Sequence, residues 1–234
     1  MQKHIETLNR RLAGSSADEV LAYFAQQYGG RIALASSFGA EDQVLTHLLQ
    51  PHREQIGVFT IDTGRLPYET YDVMDRTNQK YGVNIDVYFP DPSDVEALYK
   101  AQGINGFYDS VDNRKRCCHA RKIAPLRRAL RGMEVWITGL RREQSPTRES
   151  MRLVEHDEAN GLLKLNPLIE WSEAEVWAHI HANGVPYNRL HDHGYPSIGC
   201  APCTRAVVPG DDIRSGRWWW ESPEHKECGL HRKE

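Results

Sequence analysis

The chain has 234 residues, 40% of them hydrophobic and 26% charged, with a formal net charge of -3 at pH 7. That length is enough for one full α/β core, and the charge gives no overall basic field for nucleic acid. No stretch approaches the roughly 18 apolar residues of a membrane span. The opening residues MQKHIETLNRRLAGSS lack the apolar core of a secretory signal. A cytoplasmic protein with reduced cysteines is therefore expected.

Taken in chain order, Ala17–Tyr28 reads as a helix ending at Gly29-Gly30, within an N-terminal helical region over about 1–29. Four short β-branched runs follow, at 32–36, 56–61, 85–89 and 135–138. Helical spacing separates the first three. It appears in Val44, Leu45, Leu48 and Leu49, and again over 68–81, which starts after Pro67 and stops at Gly82. Asp91-Pro92-Ser93-Asp94 predicts a turn and N-cap for a helix through Lys100. Ser172 and Glu175 form a capping-box pattern at the start of another helix. Continuous apolar strands alternating with helices predict βαβ units, hence an α/β fold with a mostly parallel sheet in one domain spanning 1–234.

The first strand opens into Ser36-Ser37-Phe38-Gly39-Ala40-Glu41-Asp42. Small residues feeding a helix N-terminus expose backbone N–H groups toward an anion, and Ser36 and Ser37 add hydroxyl donors. No Gly-Lys-Ser/Thr follows, so this is not a Walker loop. A plain βα turn with acidic residues on the helix dipole gives the same pattern. After the second strand comes FTIDTGRLPYETY, in which Asp62 and Thr63 read equally as a turn.

The five cysteines fall into two close pairs and a single residue. Cys117-Cys118 begins CCHARKIAPLRRAL, which reads as the start of a basic helix; Cys200 and Cys203 lie in a Gly/Pro-rich stretch. A thioredoxin-type redox pair, a structural zinc site and an iron–sulfur cluster all remain open. Adjacent cysteines on a helix project about 100° apart, which suits separate irons better than one small ion. Cys228 stands in HKECGLHRKE, on a charged tail over about 218–234. Trp218–Trp220 reads as core or as a docking surface for that tail.

These motifs carry a resemblance. The loop at 36–42 resembles that of the adenine-nucleotide α-hydrolase (PP-loop) superfamily, with Phe38 and Gly39 in place of its double glycine, and Ile61-Asp62-Thr63-Gly64 fits the sulfate-reducing branch. Cys117, Cys118 and Lys122, then Ser197 to Arg205, then Glu227 to His231 resemble the assimilatory adenylyl-sulfate (APS) reductases, the iron–sulfur branch of the PAPS reductase family. The resemblance implies a doubly wound sheet of the PP-loop type with a mobile C-terminal tail. It implies a [4Fe-4S] cluster on Cys117, Cys118, Cys200 and Cys203, and catalysis by Cys228. Substrate contacts are implied for Ser36, Ser37, Phe38, Gly39, Asp62, Thr63, Lys122, Arg142, Arg214, Arg217 and His231. Arg141 or Arg148 is an alternative to Arg142, and His225 or His231 could help ionise Cys228.

The implied reaction converts adenylyl sulfate to sulfite and AMP through an S-sulfocysteine. A thiolate attacks the activated sulfur in a closed site and must then meet a reductant, two demands that a mobile tail can satisfy in turn. The chain is too short to include a fused thioredoxin domain, so a separate thioredoxin or glutaredoxin-like dithiol is expected as donor. The other partner is the small nucleotide substrate; nucleic acid and membrane are not expected, and self-association is left open. Two rival readings are reduction of the 3′-phosphorylated nucleotide (PAPS) and a zinc-stabilised nucleic-acid-binding module using the Lys/Arg runs.

Overall fold

The β-branched runs form strands, with the side chains of the first and fourth largely covered and those of the third mostly exposed. In the computed structural model, which describes residues 1–144 and 148–222, β1 (Ile32–Ser36) lies between β2 (Gly57–Ile61) and β4 (Val135–Ile137). Both neighbours run parallel to β1, with Leu34 opposite Val58 on one side and Ile137 on the other. With β3 (Asp86–Tyr88), β5 (Val154–Asp157) and β6 (Leu162–Leu165), the sheet order is β3-β2-β1-β4-β6-β5. β6 is parallel to β4 and β5 is antiparallel to β6. The expected mostly parallel α/β sheet is present, and the expected strands are the same or shorter at their ends.

The hairpin β5–β6 is an element that sequence reading did not anticipate. Its signal was Asn160-Gly161: Gly161 has φ 71, a left-handed conformation that glycine adopts without strain, and its N–H donates to Asp157 O at 2.7 Å. β5 is an edge, and α1 (Gln2–Arg11) covers it. The Asn9 side chain donates to Val154 O (2.8 Å) and accepts from Val154 N–H (3.1 Å), satisfying backbone groups that an edge leaves bare.

The helices begin where their caps dictate. Ser16 and Glu19 form a reciprocal capping box on α2 (Ala17–Tyr28). α3 (Ala40–Leu48) starts from Gly39, α4 (Tyr68–Tyr81) follows Pro67, and Asp91 caps α5 (Pro92–Gln102) through Ser93 N–H. The cysteine pair departs from expectation. Cys117 and Cys118 end a helix, α6 (Val111–Cys118), capped by Ser110, rather than starting one. The next five residues, His119–Ile123, widen into a π-turn before α7 (Ala124–Ala129). Pro125 explains the widening: it has no N–H for the carbonyl four residues back, and its ring crowds that carbonyl. α8 (Glu173–Asn183) carries the predicted Ser172–Glu175 capping box.

By packing, the chain divides into two units. The first comprises Met1–Thr60, Val73–Asp86 and Leu130–Tyr187; the second comprises Ile61–Asp72, Val87–Ala129 and the chain from Asn188 on. The chain passes between them within β2, α4 and β3, after α7 and after Tyr187, so no linker composition marks the division. The core of the first unit joins Leu21 and Phe24 of α2, Leu45 of α3, Leu34 and Ile137 of the sheet, and Ile180 of α8, all almost fully buried. Burying such side chains stabilises by about 1.5–3 kcal/mol each.

Candidate active site

In the first unit, the strand order reverses at β1, since the chain runs from β1 out to β2 and β3 and returns on the other side as β4. The crevice at the carboxyl ends of β1 and β4 is where open α/β sheets bind ligands. The loop 36–42 occupies that position. Phe38 has φ 60, the conformation a glycine would take freely, so a bulky residue is held where it is strained. Its ring is 1% exposed and packs on Val73 and Ile85, so only its backbone can face a ligand. Phe38 N–H donates to Ser36 Oγ at 3.2 Å.

Ser37 differs from the sequence reading, which offered its hydroxyl to an anion. Its N–H (2.6 Å) and Oγ (2.7 Å) both donate to Asp42 Oδ2. Burial pushes the Asp42 carboxyl up to about 6, against the Ser37 hydrogen bonds that pull it down. Gly139, just past β4, meets this loop closely: a Cβ there would stand 2.5 Å from Asp42 Oδ1 and 2.8 Å from Glu41 Cβ. Arg141 is buried, and its Nε donates to Glu41 Oε1 at 2.8 Å. Gln144 donates to the same oxygen at 2.9 Å, and Arg148 donates to Gln144 Oε1. Arg142, by contrast, pairs with Glu170 and donates to Met151 O at 3.1 Å. It is therefore Arg141 that reaches the loop.

In the second unit, Cys117, Cys118, Cys200 and Cys203 line one recess, and none is in a disulfide. The Cys200–Cys203 turn is pinned by its backbone. Ala201 N–H donates to Arg65 O (2.8 Å), Cys203 N–H to Cys200 O (2.9 Å), and Gly199 N–H to Thr204 Oγ1 (3.1 Å). A Cβ at Gly199 would displace the Arg217 guanidinium from its present position.

Polar groups from three segments surround these thiols. Thr63 Oγ1 lies 3.2 Å from Cys200 Sγ and accepts Arg65 N–H. Asp62 accepts from Tyr71 Oη (3.0 Å) and from Gly64 N–H (2.7 Å). Arg121 donates to Thr63 O (2.6 Å) and to Tyr99 Oη (2.7 Å), and Arg65 stacks on Phe107 at 4.9 Å. Lys122 and Arg217 also line the recess. Arg217 donates to Ser197 Oγ and Ile198 O, each at 3.2 Å. Arg214 is half-buried, with its backbone N–H on Asp212.

The recess treats its thiols unequally. Burial raises Cys117 and pushes Cys203 up to about 12. Cys200 is also penalised by burial, yet the charge of Lys122, the Thr63 hydrogen bond and the charges of Arg217 and Arg121 hold it below the ordinary thiol value. Ionising the whole set therefore calls for a strongly positive occupant, as a thiolate-ligated metal group provides. Among the described residues, no three His, Cys, Asp or Glu side chains gather where a single metal ion could sit. Four soft thiols lining one recess are a donor set of the kind that a thiolate-bound metal group takes.

Sequence reasoning named Thr63, Lys122, Arg217 and the four cysteines of this recess, but missed Arg65, Tyr99, Arg114 and Arg121. Of these, only Arg121 lies in a stretch singled out above, the basic one beginning at Cys117. Cys228 and His231, with His225, lie outside the described residues.

Comparison with known proteins agrees with this architecture. The phosphoadenosine phosphosulfate reductase domain matches residues 31–206. The chain is 52% identical to the adenosine 5′-phosphosulfate reductase of Allochromatium vinosum over 98% of its length and 88% of that protein's. It is 50% identical to the enzyme of the same name from Burkholderia cepacia, over 92% of this chain and 85% of the other. Among solved structures, phosphoadenylyl-sulfate (PAPS) reductase from Candida auris superposes with a TM-score of 0.75 at 28% identity, covering 88% of this chain and 98% of that one. FMN adenylyltransferase from Candida glabrata shares the fold, with a TM-score of 0.55 at 16% identity over 97% of this chain and 76% of the other. On a match spanning most of its length, the chain belongs to the phosphoadenosine phosphosulfate reductase domain family.

Proposed function

We propose that this chain reduces adenosine 5′-phosphosulfate to sulfite and AMP in sulfate assimilation, with Cys228 as nucleophile. The observation that carries the reading is the recess of four thiols flanked by Lys122, Arg121 and Arg217, in a chain about half identical to enzymes named for this substrate. With four cysteines committed to one recess, Cys228 is the thiol left for covalent work.

The Cys228 thiolate attacks the hexavalent sulfur. A sulfur–sulfur bond forms, the bond from sulfur to the bridging phosphate oxygen breaks, and AMP leaves with the electron pair. A thiolate of a separate dithiol protein, thioredoxin or a glutaredoxin-like donor, then attacks the Cys228 sulfur. Sulfite departs with two electrons, and the donor's second thiol resolves the mixed disulfide.

Cys117, Cys118, Cys200 and Cys203 would hold a [4Fe-4S] cluster, which supplies a fixed charge centre and a structural tie when bound. Thr63 and Lys122 stabilise the Cys200 thiolate. The loop of Ser36, Ser37, Phe38 and Gly39 is assigned to the nucleotide, with the Ser37 N–H already engaged by Asp42, and Arg142 is assigned to its anion; these belong to the first unit. Asp62, Thr63, Lys122, Arg214 and Arg217 are assigned from the second, and permanently charged guanidiniums suit a phosphosulfate. His231 orders the tail over bound substrate.

The test is anaerobic mixing with the nucleotide and no reductant, followed by mass spectrometry. A sulfonate on Cys228, absent in Cys228→Ser, is expected. An adduct on another cysteine, or full turnover by the serine variant, removes the assignment. A kcat/KM preference over the 3′-phosphorylated nucleotide of about tenfold or more is expected with thioredoxin as reductant. The names of the relatives above support the unphosphorylated substrate, whereas the name of the Candida auris neighbour keeps the phosphorylated one as the second reading.

A further inference from the structure

Arg114 lies on α6, three and four residues ahead of Cys117 and Cys118, and so on their face of the helix. Its guanidinium makes a two-pronged bond to Glu221, Nε to Oε1 at 2.9 Å and Nη2 to Oε2 at 2.7 Å. The two side chains are 3% and 2% exposed. Burying such a pair costs more desolvation than it returns in simple stability, so its best-attested use is to fix a register. Trp218 completes the arrangement. Its ring lies against two guanidiniums, those of Arg114 and Arg217, each at 4.8 Å. Its backbone holds φ 43, a strained value for a bulky residue, which persists only where the surroundings impose it. Trp218 N–H donates to Cys203 O at 3.2 Å, and Glu221 N–H to Trp218 O at 2.8 Å.

The strand of chain that ends at Glu221 is thus tied to both cysteine pairs: to Cys117-Cys118 through Arg114, and to Cys203 through Trp218. Cys228 follows Glu221 by seven residues, a span of at most about 25 Å when fully extended. We propose that the Arg114–Glu221 pair is a positioning device for the thiol chemistry proposed above: it fixes the chain at Glu221 against the cysteine recess, seven residues ahead of Cys228. The idea rests on Cys228 being the nucleophile. The role assigned to the pair is positioning, not contact with the reacting sulfur. Their effect is on how often the thiol reaches it, since losing a fixed origin lowers effective concentration without weakening nucleotide binding.

The experiment compares wild type and Glu221→Gln as holoproteins in single-turnover sulfonation of Cys228, without reductant, alongside AMP affinity, iron content and thermal stability. Glu221→Gln is expected to slow sulfonation by about tenfold or more, with AMP affinity and iron content within about twofold of wild type. Sulfonation within about twofold of wild type would overturn the proposal, as would a fall in AMP affinity and iron content parallel to the rate. If Glu221→Gln does not fold, Glu221→Asp carries the test: it keeps the charge on a shorter arm, and an unchanged rate overturns the proposal equally. Failure of the underlying nucleophile assignment is distinguishable, because wild type itself would then form no Cys228 adduct.

Discussion

Thr63 Oγ1 stands 3.2 Å from Cys200 Sγ, and both residues are buried. The hydroxyl is one of the few groups that hold the Cys200 thiol below its ordinary range against burial. Thr63→Val keeps the shape and removes the donor. A hydrogen bond to a charged group contributes about 1.5–3 kcal/mol, so the variant should lose roughly that much stability by urea denaturation. If the proposed cluster is bound, iron should also leave the variant faster in the presence of a chelator. Unchanged midpoint and iron-release rate would show that this contact does nothing for the recess.

Asp42 gives a pH dependence. Burial raises its folded pKa from 3.8 to about 6. Between those values the folded chain binds more protons than the unfolded one, so stability falls as pH rises through the window. The contribution is complete below about 4 and lost above about 6. The whole change is on the order of 3 kcal/mol, from a shift of about two units at 1.36 kcal/mol each. Asp42→Asn, whatever its absolute stability, should lack this slope. Parallel denaturant titrations at pH 4.5, 5.5 and 7 measure it, with about those intervals chosen to span the window. Identical slopes in both proteins would place the Asp42 pKa near the ordinary carboxylate value.

Gly139 has no space for a methyl group. Gly139→Ala brings Cβ to 2.5 Å from Asp42 Oδ1 and 2.8 Å from Glu41 Cβ, and the loop must shift to relieve it. Overpacking of this kind costs about 1–3 kcal/mol. AMP affinity should fall with stability, since the displaced segment is the one at the carboxyl end of β1. Gly57→Ala serves as the control. Its Cβ would meet only Ala33 Cβ, at 3.8 Å, an ordinary contact. Equal behaviour of the two variants would remove the loop from the account of nucleotide binding.

What could be read from the sequence follows from how local the signals are. β1 and the helices 17–28 and 68–81 carry their own caps and apolar runs, and they form where those signals place them. The π-turn after Cys118 was not legible as such, because its cause, Pro125, lies seven residues further on and reads equally as a helix start. Phe38 shows the opposite limit. Its departure from a glycine pair was visible, but not that the backbone keeps the glycine conformation while the ring packs against Val73 and Ile85. Tyr99 and Arg65 could not be found at all. They matter through hydrogen bonds at separations of 34 and 39 residues, and no spacing rule reaches that far.

The neighbouring arginines 141 and 142 separate structure from binding. The Arg141 side chain is 4% exposed and paired with Glu41 at 2.8 Å. Removing Arg141 costs at most about 3–5 kcal/mol, the figure for a fully buried pair, because Glu41 is 18% exposed and keeps its bond from Gln144. Arg141→Gln should therefore lower the melting temperature markedly and disturb the loop through Glu41. The Arg142 side chain is 36% exposed and its partner Glu170 71%. An exposed pair of that kind is worth about 0–1 kcal/mol, so Arg142→Gln should melt almost as wild type does. Its catalytic effect then reports on substrate directly. If Arg142 leaves Glu170 to meet the phosphosulfate, kcat/KM for the nucleotide should fall about tenfold or more while stability holds. If Arg142→Gln retains full kcat/KM, the anion contact passes to Arg141, and Arg141→Lys, which keeps the charge but loses the planar fork, becomes the variant whose kcat/KM must fall.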